Sequence, residues 1–491
     1  MLERLAKTKR FSWLVALAAG LYPFLHYYNS NFDMADSWVQ FLFLFSISFV
    51  LPLILICISP LVFKISFLRR FEKYRLAAIN FAVFAGLISL LVFLSNKKVL
   101  VLTIFLAALL SFLLYKHLVK IIVLQLLLAL LSSISLLPRL WFMANYSTSW
   151  TQIDNSLAEV NFVKTPNIYV IQPDGYTNFS ELRKPPYNHL DTGFEIWLRQ
   201  NNFVNYEGFR SNYNSTVTSN SSMFAMKHHY LQNTFKGNLK TFGAQEVIVG
   251  DYNNVLKILK RNNYKTYLIT DNSYFIINRK NTLFDYCNID QKDVKLYDTG
   301  PIAEADIIPD LNAVIQDASS TNNFYFIEKT IPSHIAYSKS YSLGVEGERL
   351  AYLERLETAN TWVIDLIDVI SKYDNNAMII IVADHGGSVG LSYVKEIENK
   401  ELTETETISV FSSLLSIKWP NNEVPDSLSF KSNVNLFRNI FSYLSDDKSL
   451  LNNLEPDKSF RPKYDGWSAN YYECITEDYK VVFDVIEENK K

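Results

Sequence analysis

Three short stretches hold the residues best suited to chemistry. Asp174 stands in Pro173-Asp174-Gly175, just after the β-rich run 167–171. Arg210 leads into a polar segment, Ser211-Asn212-Tyr213-Asn214-Ser215-Thr216-Val217-Thr218-Ser219. Asp384-His385-Gly386-Gly387 follows the apolar run 377–382 almost at once. Two carboxylates and an imidazole are a donor set that suits a divalent cation. A hydroxyl coordinated to that cation loses its proton more easily and becomes a nucleophile; Ser215, Thr216, Thr218 and Ser219 all offer one. If a helix begins at Thr216, its free backbone N–H groups would hold an anionic group under attack. Arg210 would add charge there, unless it is a solvated loop residue.

The elements that must bring these stretches together can be read from periodicity. Runs 167–171, 246–250, 264–270, 323–327 and 377–382 are apolar or β-branched and read as strands. Residues 195–200 read as a helix, and 343–373 as a long, charged, amphipathic one. Strands apolar on both faces and alternating with helices imply an α/β domain, its mostly parallel sheet covered on both sides. Ligands of such sheets sit beyond the carboxyl ends of the strands. Asp174 and Asp384-His385 both occupy that position.

Ahead of this domain the chain is of another kind. Five apolar stretches, roughly 11–28, 39–63, 77–95, 99–115 and 121–142, approach or exceed the ~20 residues that cross a bilayer. The first is followed by more such stretches and lacks a convincing small-residue cleavage site, so it reads as a span. Arg4, Lys7, Lys9, Arg10, Lys64, Arg69, Arg70, Lys73, Arg75, Lys116 and Lys120 fall on one side of the array. Lys97, Lys98 and Arg139 fall on the other. By the positive-inside rule the N-terminus is cytoplasmic and the large domain lies across the membrane. The expected organisation is a five-span helical anchor over 1–145, a polar linker over 146–165 and an extracytoplasmic domain over 166–491. The formal net charge is -2, which gives no case for nucleic-acid binding through bulk charge. Cys57 is expected to be buried in the bundle. Whether Cys287 and Cys474 pair stays open.

The order and wording of several segments resemble a known family. These are 166–175 (Pro-Asn-Ile-Tyr-Val-Ile-Gln-Pro-Asp-Gly), 193–198 (Gly-Phe-Glu-Ile-Trp-Leu), Asn202-Phe203, Ser211 to Thr216, and 379–386 (Ile-Ile-Ile-Val-Ala-Asp-His-Gly). Over roughly 166–445 the chain resembles the sulfatase-like branch of the alkaline phosphatase superfamily. With five spans ahead of that domain, it resembles the membrane-bound phosphoglycerol and phosphoethanolamine transferases, including lipoteichoic acid synthases. The resemblance implies one divalent metal ion (Mn, Mg or Zn) held by Asp174, Thr216, Asp384 and His385. It also implies that Thr216 takes up a phospho head group covalently. The donor would be a membrane phospholipid and the acceptor a cell-surface glycan or lipid, at a bacterial cytoplasmic (inner) membrane. Arg210, Asn212 and His334 become the expected substrate-binding residues, with His334 also a candidate catalytic group. His228 and His229 are expected to be structural, and Glu328 to be a weaker candidate for the site.

Departures from the pattern narrow the chemistry. Neither Cys287 nor Cys474 stands in the Cys-x-Pro-Ser-Arg context of a sulfatase nucleophile. Of the seven histidines none lies four residues after an Asp and none beyond His385, which argues against a two-metal site. Lack of a downstream His also tilts the choice toward phosphoglycerol chemistry. His334 stands in Pro332-Ser333-His334, where many relatives have Pro-His-Pro. Two alternatives stay open: a phosphodiesterase or phosphatase, in which water replaces the acceptor, and a non-catalytic lipid-binding membrane regulator.

Overall fold

The structure, a computed structural model, describes residues 9–32, 35, 37–92, 97–229, 243–277, 282–294, 305–317, 322–465 and 468–485. Its described residues divide into a helical unit up to Tyr146, with which Ile277 and Val294 are grouped, and a larger unit that begins at Ser147.

The helical unit contains α1 (Lys9–Asn31), α2 (Trp38–Val62), α3 (Arg75–Val92), α4 (Lys97–Leu114) and α5 (Leu118–Asn145). Three stretches of the described residues are long and apolar enough to cross a membrane: Trp38–Val62, Glu72–Leu91 and Lys98–Asn145. The sequence led us to expect five. The third stretch joins two of those five: it has 48 residues, about 72 Å at helical rise, against a hydrocarbon core of ~30 Å. A 3₁₀ turn at Tyr115–His117 interrupts it, leaving α4 and α5 as separate helices. α1 is not among the three; its last turns carry His26, Tyr27, Tyr28 and Asn29, which dilute its apolar character. Inside the bundle, Asn80 and Gln125 exchange two amide hydrogen bonds of 3.0 Å, and Asn80 also donates to the Val15 carbonyl. These tie α3 to α5 and α1 without placing a charge among them. Cys57 is exposed rather than buried. It shares the outward face of α2 with Ile54, Leu55 and Ile58, a face whose apolar character suits lipid as well as protein.

In the larger unit, seven strands form one mixed sheet in the order β2-β7-β6-β1-β5-β3-β4. They are β1 (Ile168–Pro173), β2 (Phe203–Asn205), β3 (Lys265–Thr270), β4 (Tyr286–Cys287), β5 (Asn323–Lys329), β6 (Met378–Val382) and β7 (Leu415–Lys418). The run β6-β1-β5-β3-β4 is parallel, while β7 is antiparallel to both β6 and β2. A second, antiparallel sheet holds β8 (Ser459–Asp465), β9 (Ser468–Ile475) and β10 (Val481–Val485).

Burial on both faces explains the apolar character of β1 and β6, every residue of which is buried. On one face Tyr169, Tyr325 and Tyr267 stand in register across β1, β5 and β3, with successive ring centroids 4.5 and 4.7 Å apart. Four further helices matter for the site: α6 (Gly193–Gln200), α7 (Thr216–Ala225), α8 (Ala244–Val249) and α9 (Gly344–Tyr373). Long α9 packs on the tyrosine face through Tyr352, Leu356, Val363 and Leu366. α7 packs on the opposite face, where Phe224 meets Phe326 of β5 at 5.0 Å.

One expected strand is a helix. Residues 246–249 fall in α8, where Val247, Ile248 and Val249 are all buried, and Gly250 caps the helix. Three adjacent apolar residues buried all round leave no alternation to read, and a short run of this kind fits either structure. The segment expected as a linker contains packed residues: Thr151, Leu157 and Val160 are buried, and Asn254 donates to the Thr151 carbonyl at 2.6 Å. Cys287 and Cys474 are both free.

Candidate metal centre

The carboxyl ends of β1 and β6 lie side by side, because these strands pair from Ile168–Met378 to Ile171–Ile381. Asp174 extends β1, with its N–H donated to the Lys329 carbonyl. Asp384 and His385 follow β6 after Ala383. Between them the chain must turn at Gly175, where φ is +69° and an added Cβ would lie 2.8 Å from the Ser333 carbonyl carbon. Glycine is required there both by conformation and by space. The Gly175 N–H then donates to Asp384 Oδ1 at 3.0 Å, binding one strand end to the other.

α7 brings in the hydroxyl. It starts at Thr216 after an extended Ser215. Thr216 Oγ1 lies 3.2 Å from Asp174 Oδ1 and 3.3 Å from His385 Nε2. The neighbouring hydroxyls are engaged elsewhere: Ser215 with Thr218 at 2.8 Å, and Ser219 with the Asp384 carbonyl at 2.6 Å. Of the hydroxyls left open by the sequence, Thr216 is the one against the carboxylates. It is also half-buried, whereas Asp174, Asp384 and His385 are buried.

The charge and hydrogen bonding of this cluster suit a cation. His385 Nδ1 donates to the Gly386 carbonyl at 2.9 Å, so in the neutral imidazole, the form that binds a metal, Nε2 carries the lone pair. That lone pair sits 3.5 Å from Asp174 Oδ1 and 3.3 Å from Asp384 Oδ2. Asp384 Oδ2 is buried with no hydrogen-bond partner, a costly state for a carboxylate. Burial pushes the Asp384 carboxyl up to about 6, partly offset by His385. Burial lowers the His385 pKa, but the Asp384 and Asp174 charges outweigh it and hold the imidazole above its usual value. Donor atoms of Asp174, Asp384 and His385 all lie within 4.8 Å of one another. A carbonyl behind the imidazole, a lone pair in front and an orphaned carboxylate oxygen together fit a divalent metal ion.

The expected substrate residues divide. His334 is near the centre, its ring stacked 6.1 Å from that of His385. Its Nδ1 donates to the Ile335 carbonyl at 2.6 Å, and burial together with His385 holds its pKa below the usual value, so the neutral imidazole is favoured. Arg210 and Asn212 are not at the centre, which corrects the expectation for both. Buried Arg210 donates to the Asp457 and Thr476 carbonyls and lies over the Tyr479 ring. Asn212, fully buried, donates to Ser432 Oγ and the Lys458 carbonyl and accepts from the Val434 N–H. Both fix the segment before α7 to the C-terminal part of the domain. Glu328 is buried in β5 and accepts from Thr270 Oγ1 at 2.7 Å rather than joining the metal cluster. His228 and His229 pack against Tyr213 below α7, His229 stacked on its ring at 4.0 Å.

Sequence reasoning missed the supports. Gln172, two residues before Asp174, and Asn220, one helical turn after Thr216, exchange two amide hydrogen bonds of 2.8 Å. Asn433 donates to the Asp384 carbonyl at 3.0 Å and to Ser219 Oγ at 3.1 Å. A Gln inside an otherwise apolar strand was a readable signal for the first. Asn433, in a polar loop far along the chain, gave none.

A family model, "Sulfatase", matches residues 195–444, half of the chain, including Thr216, Asp384 and His385. The protein belongs to the sulfatase family. As a sulfatase-family protein it is an enzyme of the alkaline phosphatase superfamily. No curated protein matches the chain. Among solved structures, the C-terminal periplasmic domain of EptC from Escherichia coli in complex with Zn is 12% identical, covering 64% of this chain and 93% of that one, with a TM-score of 0.42. Lipooligosaccharide phosphoethanolamine transferase A from Neisseria meningitidis, an integral membrane protein, is 12% identical, covering 89% and 96%, with a TM-score of 0.41. The lipoteichoic acid synthase LtaP from Listeria monocytogenes is 13% identical, covering 67% and 91%, with a TM-score of 0.40.

Proposed function

We propose that this sulfatase-family protein is a membrane-anchored phosphotransferase. It moves a phospho head group, phosphoglycerol or phosphoethanolamine, from a membrane phospholipid to a hydroxyl on a cell-surface glycan or lipid, through a covalent intermediate on Thr216. The observation that carries this reading is the half-buried Thr216 hydroxyl at the start of α7, within 3.3 Å of both Asp174 and His385.

Asp174, Asp384, His385 and Thr216 would hold one divalent ion, Mn, Mg or Zn, which lowers the proton affinity of a bound hydroxyl and offsets phosphate charge. Thr216 Oγ1 attacks phosphorus. The bond from phosphorus to the diacylglycerol oxygen breaks, and that oxygen leaves with a proton. In the second half the acceptor hydroxyl gives up its proton and attacks the same phosphorus; the bond to Thr216 breaks and Thr216 regains a hydroxyl. Backbone N–H groups in the first turn of α7 face the non-bridging oxygens in both halves. His334 starts neutral with Nδ1 already donating, so its Nε2 is suited to accept the acceptor's proton.

The anchor follows from the donor, which cannot leave the bilayer. An odd number of crossings, five on the sequence reading, with a cytoplasmic N-terminus would put the domain on the outer face of a bacterial inner membrane. The test is product analysis with the full chain in vesicles of phosphatidylglycerol and phosphatidylethanolamine. Release of diacylglycerol that needs Thr216 and Asp384, with the head group appearing on an added acceptor, supports transfer. Head group appearing only as a free phosphate ester identifies a hydrolase. Equal release by Asp384→Asn and the parent protein would refute the site.

A further inference from the structure

At one end of the helical unit a cavity of about 330 Å³ opens between the start of α1, the start of α3 and the turn joining α4 to α5. Its size lies within the ~300–1,000 Å³ typical of small-molecule sites. Phe11, Ala77 and Leu118 give it an apolar floor, and all three are buried. Among the described residues that line it, Lys73, Arg75 and Lys116 are cations and Glu72 is an acid.

The cations are arranged for an absent anion. Among the described residues none of the three forms an ion pair with a carboxylate. Arg75 Nη1 donates to Ser59 Oγ at 2.8 Å, yet its Nε is buried without a partner. Lys73 lies over the Tyr74 ring at 4.9 Å and the Tyr115 ring at 5.7 Å, and Lys116 over the Tyr115 ring at 6.0 Å, so two tyrosines hold two ammonium groups together. A buried guanidinium N–H left open calls for an acceptor, best a charged oxygen. The apolar floor calls for hydrocarbon. One ligand class supplies both, and the flanking stretches Glu72–Leu91 and Lys98–Asn145 are apolar enough to lie in a bilayer. We propose that this cavity binds the phosphate head group of an anionic phospholipid, with the first carbons of an acyl chain against Phe11, Ala77 and Leu118. The site stands apart from the catalytic reading: its described lining residues all belong to the helical unit, at the opposite end of α5 from Asn145.

The test uses the full chain in a neutral detergent and counts bound lipid by native mass spectrometry with phosphatidylglycerol or phosphatidylcholine added. The cavity variant is Arg75→Gln/Lys116→Gln. The control is Arg69→Gln/Arg70→Gln, two exposed cations that do not line the cavity. Parent and control should retain phosphatidylglycerol over phosphatidylcholine, and the cavity variant should retain about tenfold less. Lipid held at the catalytic site contributes equally to every variant and cancels. Lys116→Gln alone changes one exposed side chain, keeps the fold, and should show an intermediate loss. Equal retention by parent, folded Lys116→Gln and the double variant would overturn the proposal. So would displacement of the lipid by glycerol phosphate or inorganic phosphate at equal concentration, which would mark a site for soluble anions.

Discussion

Replacing Asn220 by Ala should do more than remove a side chain from α7. Gln172 and Asn220 are both fully buried, and each is the other's donor and acceptor. Losing Asn220 strands the N–H and the carbonyl of the Gln172 amide at ~1–3 kcal/mol each, giving about 2–6 kcal/mol in all. For a domain larger than ~150 residues that lowers the melting temperature by roughly 5–15 °C. Replacing both residues by Leu removes both polar groups and should recover more than half of the loss, a coupling of ~2 kcal/mol. The pair also links the strand end that carries Asp174 to the helix that carries Thr216, so activity should suffer beyond stability. A misplacement of ~1 Å costs on the order of 10²-fold in rate. The assay is thermal unfolding of the full chain by tryptophan fluorescence, with head-group release measured well below the melting temperature. A double variant that falls by the sum of the singles would refute the coupling. Full activity in a destabilised Asn220→Ala would refute the positioning role.

Other consequences follow from the same geometry. Asp384→Asn keeps the shape but removes a charge from the metal cluster, so the variant should lose stoichiometric divalent metal by elemental analysis. It should also lose the stabilisation that metal gives the parent, ~2.7 kcal/mol at a hundred times Kd, seen as a melting shift on chelation. His229 is buried and its pKa is lowered to about 3 by burial and by His228. Its unfolded value is ~6.5, so the unfolded chain takes up a proton first, and the stability present above pH ~6.5 is lost as pH falls toward 3, at up to ~1.4 kcal/mol per pH unit. His229→Gln should flatten that slope between pH 6 and 4 in a melting series; an unchanged slope would remove His229 as its cause. His334→Gln should lower kcat/KM by ~10²–10⁴ while metal content stays unchanged. Because burial and His385 depress the His334 pKa, the acid limb of the pH profile should fall below pH ~6.5 and vanish in the variant.

Much of the candidate site was legible because its carboxylates and imidazole end strongly patterned strands. Asp174 and Asp384-His385 each follow a run whose burial on both faces leaves an unmistakable apolar signature, and parallel pairing sets their ends together. Thr216 could be separated from Ser215, Thr218 and Ser219 only through the family resemblance, since side-chain direction at a helix start depends on the exact first residue. Arg210 and Asn212 were misplaced for a related reason. Proximity in sequence to Thr216 says nothing of direction, and both side chains turn to carbonyls and hydroxyls contributed by residues 432–476. Such long-range partners leave no local mark, as Asn433 also shows. Short segments failed where burial erased periodicity, as in α8. In the helical unit, hydropathy located the helices but not their number as spans: the three-residue turn at Tyr115–His117, despite Lys116, leaves one long apolar stretch, and α1 ends in polar and aromatic residues.

Covalent capture on Thr216 can be observed directly. The full chain, loaded with Mn²⁺ and mixed with bacterial phospholipids, would be quenched in acid and analysed by intact and peptide mass spectrometry, beside Thr216→Ala and Asp384→Asn. A phosphoglycerol or phosphoethanolamine mass on the peptide containing Thr216, absent from both variants, is the expected result, and the mass names the donor. An adduct on Ser215, Thr218 or Ser219, or turnover by Thr216→Ala at the parent rate, would contradict Thr216 as the nucleophile.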